Sequence, residues 1–373
     1  PFAVMFRDME CLLEYANVFP EEERSLSSWR KPIVIVGDKK RLAPSVSVGF
    51  PTVGAMLPYM PFHYLLFEKL ELPAIVLTSG NISDEPIVID NRDAQRSLAG
   101  ISDAILTYNR DIHNRTDDSV VIAVNEKERV LRRSRGYSPG PVNLELDVDG
   151  IVAAGAELVN CFALGKGRQA ILSQHIGDLQ NLETLDFYTE SYARYKRLFR
   201  VEPQLAVHDM HPDYLSTKLG KAMAAEEGLE LVEVQHHHAH IAGCMAEHGL
   251  PLDTGRVLGI ALDGLGFGED GSIWGGEFLL ADYQGFERLA YFQPVPMLGG
   301  AQAMREPWRN TLAHILGTLG WEQVQEQYPN IEITSFISFK PLNIITKMFD
   351  NGLYSPMASS AGRLFDAVAA AVG

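Results

Sequence analysis

The chain has 373 residues, 46% apolar and 21% charged, and no apolar run approaches the roughly 18–20 residues that a membrane helix needs. Low-complexity tracts are absent, so the composition excludes a disordered or membrane-spanning polypeptide and indicates a soluble globular protein of two or three domains. With 32 basic against 48 acidic residues the net charge is −16, which argues against a general polyanion binder and removes nucleic acid and membrane surfaces from the expected partners.

The charge is unevenly divided. Residues 1–141 hold 17 Lys/Arg and 19 Asp/Glu, whereas residues 142–373 hold 15 against 29, so the two parts are expected to meet different ligands. Three widely spaced cysteines, Cys11, Cys161 and Cys244, argue against a disulfide scaffold or a zinc knuckle and favour a reducing, cytoplasmic location. No signal peptide precedes the first strand. The sequence opens without Met, on Pro1-Phe2-Ala3-Val4-Met5, and ends on an apolar helical stretch, so both ends are expected to be cut from something longer.

In chain order, residues 32–36, 74–78, 103–108, 119–124 and 129–133 read as strands, and residues 62–70 and 94–99 as helices. A turn-rich segment, Gly136-Tyr137-Ser138-Pro139-Gly140-Pro141, precedes an acidic stretch and marks a domain boundary between residues 141 and 142. Beyond it, 151–154, 161–165 and 170–173 predict a strand meander. Residues 184–199 predict a long amphipathic helix whose Tyr188, Tyr192 and Tyr195 face a core. Strand 205–208, helix 213–227, strand 230–234, helix 236–248 and strand 257–262 then alternate, as an α/β domain with a mixed or parallel sheet requires. Helices at 303–317, 341–351 and 360–372 supply a helical end.

Four of the eleven histidines fall within Gln235-His236-His237-His238-Ala239-His240. At i and i+4 on a helix, His236 and His240 share one face, while His237 and His238 are expected to point elsewhere. Asp263, at the end of the next strand, is the nearest carboxylate able to complete a metal site. Two imidazoles and a carboxylate suit Fe(II), Zn or Mn, and the spacing does not choose among them. Cys244, on the same helix, reads as buried packing.

The run Asp263-Gly264-Leu265-Gly266-Phe267-Gly268-Glu269-Asp270-Gly271 lies between two strands, the second carrying Trp274-Gly275-Gly276-Glu277. It is neither a dinucleotide fingerprint nor a P-loop, because no helix follows and no Lys-Ser/Thr closes it. A glycine turn between strands can offer backbone N–H groups to a phosphate, and residues 155–161 could form a second such loop. In the N-terminal part, Thr78-Ser79-Gly80-Asn81 closes an apolar strand. Arg115 and the cluster Arg132-Arg133-Ser134-Arg135 supply guanidinium groups suited to a triphosphate.

These strings together resemble the hydrogenase-maturation carbamoyltransferases of the HypF family. Residues 78–83, 110–119 and 131–137 are similar to that family's YrdC-like domain, and residues 235–240, 262–271, 274–277 and 359–367 to its TsaD-like domain. The implied fold class is α/β: a YrdC-like twisted-sheet domain (1–141) followed by an actin/sugar-kinase-like, ribonuclease H-type domain (142–373). The resemblance implies that the first domain binds ATP through Ser79, Asn81, Arg115, Arg133 and Arg135 and forms carbamoyl-adenylate from carbamate derived from carbamoyl phosphate, with Mg accompanying ATP. It implies that the second holds a divalent metal on His236, His240 and Asp263, phosphate near Gly264, Gly266 and Gly268, and ribose on Asp366. The carbamoyl acceptor would be the C-terminal cysteine of a HypE-like partner, en route to the cyanide ligands of a [NiFe] centre. The family's acylphosphatase and zinc-finger domains and its further C-terminal loop lie outside this sequence, so carbamoyl phosphate alone is not expected to be processed. Two other readings stand beside this one: a small-molecule O-carbamoyltransferase of antibiotic type, and a non-catalytic nucleotide- and metal-binding or RNA-binding module.

Overall fold

A computed structural model describes residues 2–83 and 85–373. The chain divides into two compact units: one of residues 1–143, 148–206 and 214–230, the other of 144–147, 207–213 and 231–373.

The first unit opens with a sheet whose strands run in the order Ala74–Val76, Ala3–Phe6, Thr52–Met56, Ile33–Asp38, Val120–Val124 and Lys127–Arg132, with Ala16–Asn17 paired to Ile33–Asp38. The central pairs mix directions. Ala3–Phe6 runs parallel to Thr52–Met56, and Ile33–Asp38 parallel to Val120–Val124, as crossover connections demand. Val4, Val34, Val36, Val53 and Ala55 stack on one face against Leu12 and Leu26, from helices Met9–Tyr15 and Pro20–Ser27. Both helices went unpredicted, although Asp8 caps the first through the Cys11 N–H and Pro20 opens the second.

The same unit contains the predicted meander, Ile151–Ala153, Ala163–Lys166 and Gln169–Leu172, all antiparallel and edged by Val142–Asn143. Helix Leu182–Phe199 packs on it, capped by Asn181, with Tyr188, Tyr192 and Tyr195 buried around Phe162 as the periodicity predicts.

The second unit is built on an antiparallel pair, Val257–Phe267 against Ile273–Ala281, flanked by Phe286–Tyr291, with Met357–Ala358 and Val295–Pro296 extending the sheet. Ile241 and Met245 of helix His236–Glu247 close the core beneath Ala261, Leu279 and Ala281. A separate helical core gathers Leu298, Trp308, Leu312, Ile337 and Ile345.

Three expectations need correction. Residues 103–108 form no strand; Leu106 and Tyr108 are exposed, and the alternation there marks surface chain with no ladder partner. The single helix expected at 303–317 is two, Gln302–Arg305 and Trp308–Thr318, because Pro307 cannot continue the first. The strand expected to end at Leu262 runs on to Phe267, and the turn is confined to residues 268–272. Among the described residues no helix is long and apolar enough to cross a membrane.

Candidate functional site

The second unit brings His236, His240 and Asp263 together: one ligand atom from each lies within 4.8 Å of the others. Strand Glu230–Val234 delivers the chain to Gln235, which caps the helix by accepting the His238 N–H. One turn apart, the Nε2 atoms of His236 and His240 then stand 3.2 Å from each other. Asp263 arrives on the neighbouring strand at an irregularity. Leu262 pairs with Gly276 but Gly266 pairs with Trp274, so the intervening residues bulge from the ladder and turn the Asp263 carboxylate toward the helix. Its Oδ1 accepts the Gly264 N–H at 2.6 Å, and its Oδ2 lies 3.2 Å from His236 Nε2.

The donor set fits a divalent cation on two counts. Two imidazole nitrogens and a carboxylate oxygen are the mixed N/O ligands that Fe(II), Zn or Mn accept. Asp263 Oδ2 is also buried without a hydrogen bond of proper geometry, a cost that a bound cation would remove. Without a cation, burial disfavours the charged His236 ring, yet its hydrogen bond to Asp209 and the close Asp263 carboxylate prevail and raise its pKa to about 9. Burial likewise opposes the Asp263 charge, but His236 and His237 hold its carboxyl well below the ordinary range. Burial and the neighbouring His236 charge push His240 down, toward the neutral ligand form.

Two neighbours escaped the sequence reading. Asp209, at the end of strand Leu205–Asp209, is buried and accepts from His236 Nδ1 at 2.6 Å. Its string, His208-Asp209-Met210-His211-Pro212 after an apolar strand, was the available signal. His237 does not point elsewhere as expected: wholly buried, it sets Nε2 3.5 Å from Asp263 Oδ2. Gln235 Oε1 is committed to the His238 N–H, so its amide nitrogen faces His237 Nδ1 at 3.1 Å and must donate to it. The ring proton of His237 therefore sits on Nε2, directed at Asp263. His238 does turn away, to the Asp282 carbonyl.

The glycines have packing reasons. A Cβ on Gly266 would lie 2.3 Å from the His237 ring, and one on Gly268 2.1 Å from the Trp274 indole, whereas one on Gly264 would meet nothing. Gly275 lets the Asp263 carbonyl approach. Asp366 pairs with Arg363 at 2.8 Å on helix Ala361–Val372. Cys244 is exposed, not buried: its side chain falls on the solvent side of the helix, near His248.

In the first unit a cavity of about 500 Å3 is lined by Ser79, Asn81, Arg115, Asp117, Arg132 and His175, among others. Ser79 Oγ donates to Asn81 Oδ1, and Asn81 Nδ2 ties down the Ile82 and Glu85 carbonyls. Arg115 is held by Glu190 at 2.9 Å and by the Ile87 carbonyl. Of the arginine cluster, Arg132 lines the cavity and the predicted Arg133 and Arg135 do not. Arg133 donates to the Gly140 carbonyl. Arg135 is wrapped by Asp118 and by the Arg30 and Lys31 carbonyls, over the Tyr59 ring. Burial, then the Arg132 charge, presses His175 down to about 4, so the cavity presents a neutral imidazole.

Family models match three consecutive stretches: "Telomere recombination" over residues 1–134, "HypF Kae1-like domain" over 147–247, and "Carbamoyltransferase, Kae1-like Domain, second subdomain" over 259–373. The carbamoyltransferase HypF of Rhodobacter capsulatus is 40% identical, covering 100% of this chain and 49% of that protein. The HypF of Synechocystis is 39% identical, covering 100% and 49%. A crystal structure of full-length HypF in the phosphate- and nucleotide-bound form superposes with a TM-score of 0.90 at 45% identity, covering 100% of this chain and 57% of that one. That of T. kodakarensis HypF gives 0.92 at 38% identity, covering 99% and 49%. The chain thus spans about half the length of the curated relatives it matches.

Proposed function

Because this chain belongs to the HypF family of carbamoyltransferases, we propose that it makes carbamoyl-adenylate from ATP and carbamate and passes the carbamoyl group to the C-terminal cysteine of a HypE-like partner, for cyanide ligand synthesis at a [NiFe] centre. Residues 1–141 would carry the adenylation and residues 142–373 the transfer. The convergence of His236, His240 and Asp263 within 4.8 Å is the observation that supports it most, in a chain whose solved relative is described as phosphate- and nucleotide-bound.

Carbamate is a poor electrophile because its carbonyl is already saturated with electron density. Attack of a carbamate oxygen on the α-phosphorus of ATP expels pyrophosphate and leaves a mixed anhydride whose leaving group is AMP. Ser79, Asn81 and Arg115 present a hydroxyl, an amide and a guanidinium to the cavity, the groups that hydrogen-bond a nucleotide and its phosphates. His175, kept neutral there, adds no charge and can donate to or accept from the small carbamoyl group. In the second step the partner's thiolate attacks the carbamoyl carbon, the C–O bond to AMP breaks, and a thiocarbamate forms. A cation on His236, His240 and Asp263 supplies a Lewis acid and template when bound. The protein's part is to hold those three donors in place: the bulge aims Asp263, and the helix fixes the histidine spacing. All three cysteines are unpaired, in keeping with the reducing cytoplasm that a free acceptor thiol needs.

The test is transfer of label. With ATP, labelled carbamate and the partner, AMP and pyrophosphate should form together and label should appear on the partner's terminal cysteine. Label on a sugar hydroxyl instead would establish the O-carbamoyltransferase reading, and ATP cleavage to ADP without any label transfer would end the carbamoyl reading for this chain.

A further inference from the structure

Among the groups around the donor set, Asp209 stands out because both of its oxygens are committed. Oδ1 accepts the backbone N–H of His211 at 2.8 Å and Oδ2 faces His236 Nδ1 at 2.6 Å, while the carboxylate is buried. A carboxylate has no proton to give, so the proton in the Asp209–His236 bond belongs to Nδ1 of His236. The lone pair of the neutral ring is then on Nε2, the nitrogen that meets His240 Nε2 and Asp263 Oδ2.

We propose that Asp209 is the positioning residue of this site: it fixes His236 in the Nδ1–H tautomer and the ring plane that turn Nε2 into the donor set. This rests on the reading of His236, His240 and Asp263 as a cation site. Buried carboxylates behind ligating histidines fix tautomer and raise ligand basicity, and their loss typically weakens metal binding about 10–100-fold. Asp209 is well placed to act so because the His211 N–H pins its other oxygen, leaving the carboxylate one orientation.

That pin makes the proposal sharply testable. In Asp209→Asn the single oxygen must stay with the His211 N–H, since a backbone N–H cannot accept, and the amide NH2 is left facing His236 Nδ1. The amide then donates to Nδ1, the ring proton moves to Nε2, and the ligand atom is blocked. A carboxylate-to-amide exchange behind a catalytic histidine acts in this way elsewhere. Asp209→Ala removes the orienting bond but imposes no wrong tautomer. Packing alone predicts the opposite order, because Asn preserves the shape of the side chain and Ala opens a void.

The experiment is Zn2+ binding to the whole chain by chelator competition, with thermal denaturation alongside, for wild type, Asp209→Asn, Asp209→Ala and His236→Ala/His240→Ala. Asp209→Asn should bind Zn2+ about 10–100-fold more weakly than wild type and more weakly than Asp209→Ala, at near-native melting temperature. Long-range 15N–1H NMR in alkaline solution, where the ring is neutral, should show His236 as the Nδ1–H tautomer in wild type. Wild-type Zn2+ affinity in folded Asp209→Asn, or an Nε2–H tautomer in the wild-type protein, overturns the proposal. If His236→Ala/His240→Ala binds Zn2+ as tightly as wild type, the cation-site reading fails by itself, and the tautomer of His236 still decides on Asp209.

Discussion

Glu277 and Arg288 meet at 2.7 Å with the carboxylate wholly buried, and the guanidinium lies 3.8 Å from the ring centres of both Trp274 and Tyr291. Glu277 also accepts the Gly275 and Gly276 N–H groups and the Ser359 hydroxyl. The next residue, Ser360, caps helix Ala361–Val372 and donates to the Gly264 carbonyl, one residue from Asp263. A buried charge thus ties the strand of the Trp-Gly-Gly-Glu string to the segment that presents Asp263. Burial works against that charge, but Arg288 leads the groups that hold the Glu277 carboxyl below its ordinary pKa.

Removing Glu277 leaves the Arg288 guanidinium with the longer contact to Asp270, at 3.5 Å, and takes the acceptor from the Gly275 N–H. Glu277→Ala is expected to cost about 3–5 kcal/mol in urea unfolding. Because the folded-state pKa is depressed, this stabilisation is present above the unfolded-state value and fades as pH falls through the folded one. A loss under about 1 kcal/mol would mean that Asp270 takes over the guanidinium and that the Glu277–Arg288 pair does not organise the strand.

Much of this site could be read from residue order. The i, i+4 spacing of His236 and His240 follows from helix pitch, and Asp263 was reachable as the carboxylate carried by the next apolar strand. The orienting shell was not. Asp209 lies 27 residues before His236, and although His208-Asp209-Met210-His211 stands out as a polar string after a strand, it does not say which histidine the carboxylate will back. The role of His237 depended on the bulge at 263–265, which no period-2 pattern encodes. Cys244 reads as buried packing from its place on the histidine helix, whereas the helix turns its side chain outward. Similarly, three arginines in four residues looked equivalent, yet the strand ends at Arg132, and beyond it Arg133 is taken up by the Gly140 carbonyl and Arg135 by Asp118. The N-terminal helices were hidden by short, charged segments whose stability comes from packing on the sheet.

Metal content gives a direct check on the donor set. His236→Ala/His240→Ala should lose stoichiometric metal after reconstitution with Fe(II), Zn2+ or Mn2+ and dialysis, read by plasma mass spectrometry. The protein should remain folded, since His240 is exposed and the core beneath rests on Ile241 and Met245. Full retention of metal by the double variant would remove the assignment.

His175 predicts a pH dependence of the first unit. Its folded pKa is near 4, below the 6.5 of an unperturbed imidazole, so between those values the unfolded chain binds a proton that the folded chain refuses. Stability is therefore undiminished above about pH 6.5 and declines as pH falls toward 4. Chemical denaturation of His175→Gln should show a shallower decline over that window than wild type. Parallel curves for the two proteins would show that the ring is not buried in its neutral form.

The two arginines with opposite fates provide the last contrast. Arg115 faces the cavity, and its anchor Glu190 is half-exposed, so the pair adds at most about 1 kcal/mol to folding. Arg135 instead makes charge-assisted bonds to Asp118 and two backbone carbonyls, and its guanidinium stacks 3.5 Å from the centre of Tyr59. Arg115→Ala should weaken Mg-ATP binding about tenfold or more in titration calorimetry, the worth of one charge-assisted bond, with little change in melting temperature. Arg135→Ala should do the reverse: about 2–4 kcal/mol less stable, because Asp118 and two carbonyls lose their donor, with affinity unchanged in the fraction that is folded. Equal effects of the two substitutions on affinity would return Arg135 to the nucleotide and would mean that its wrapping partners release it when ATP binds.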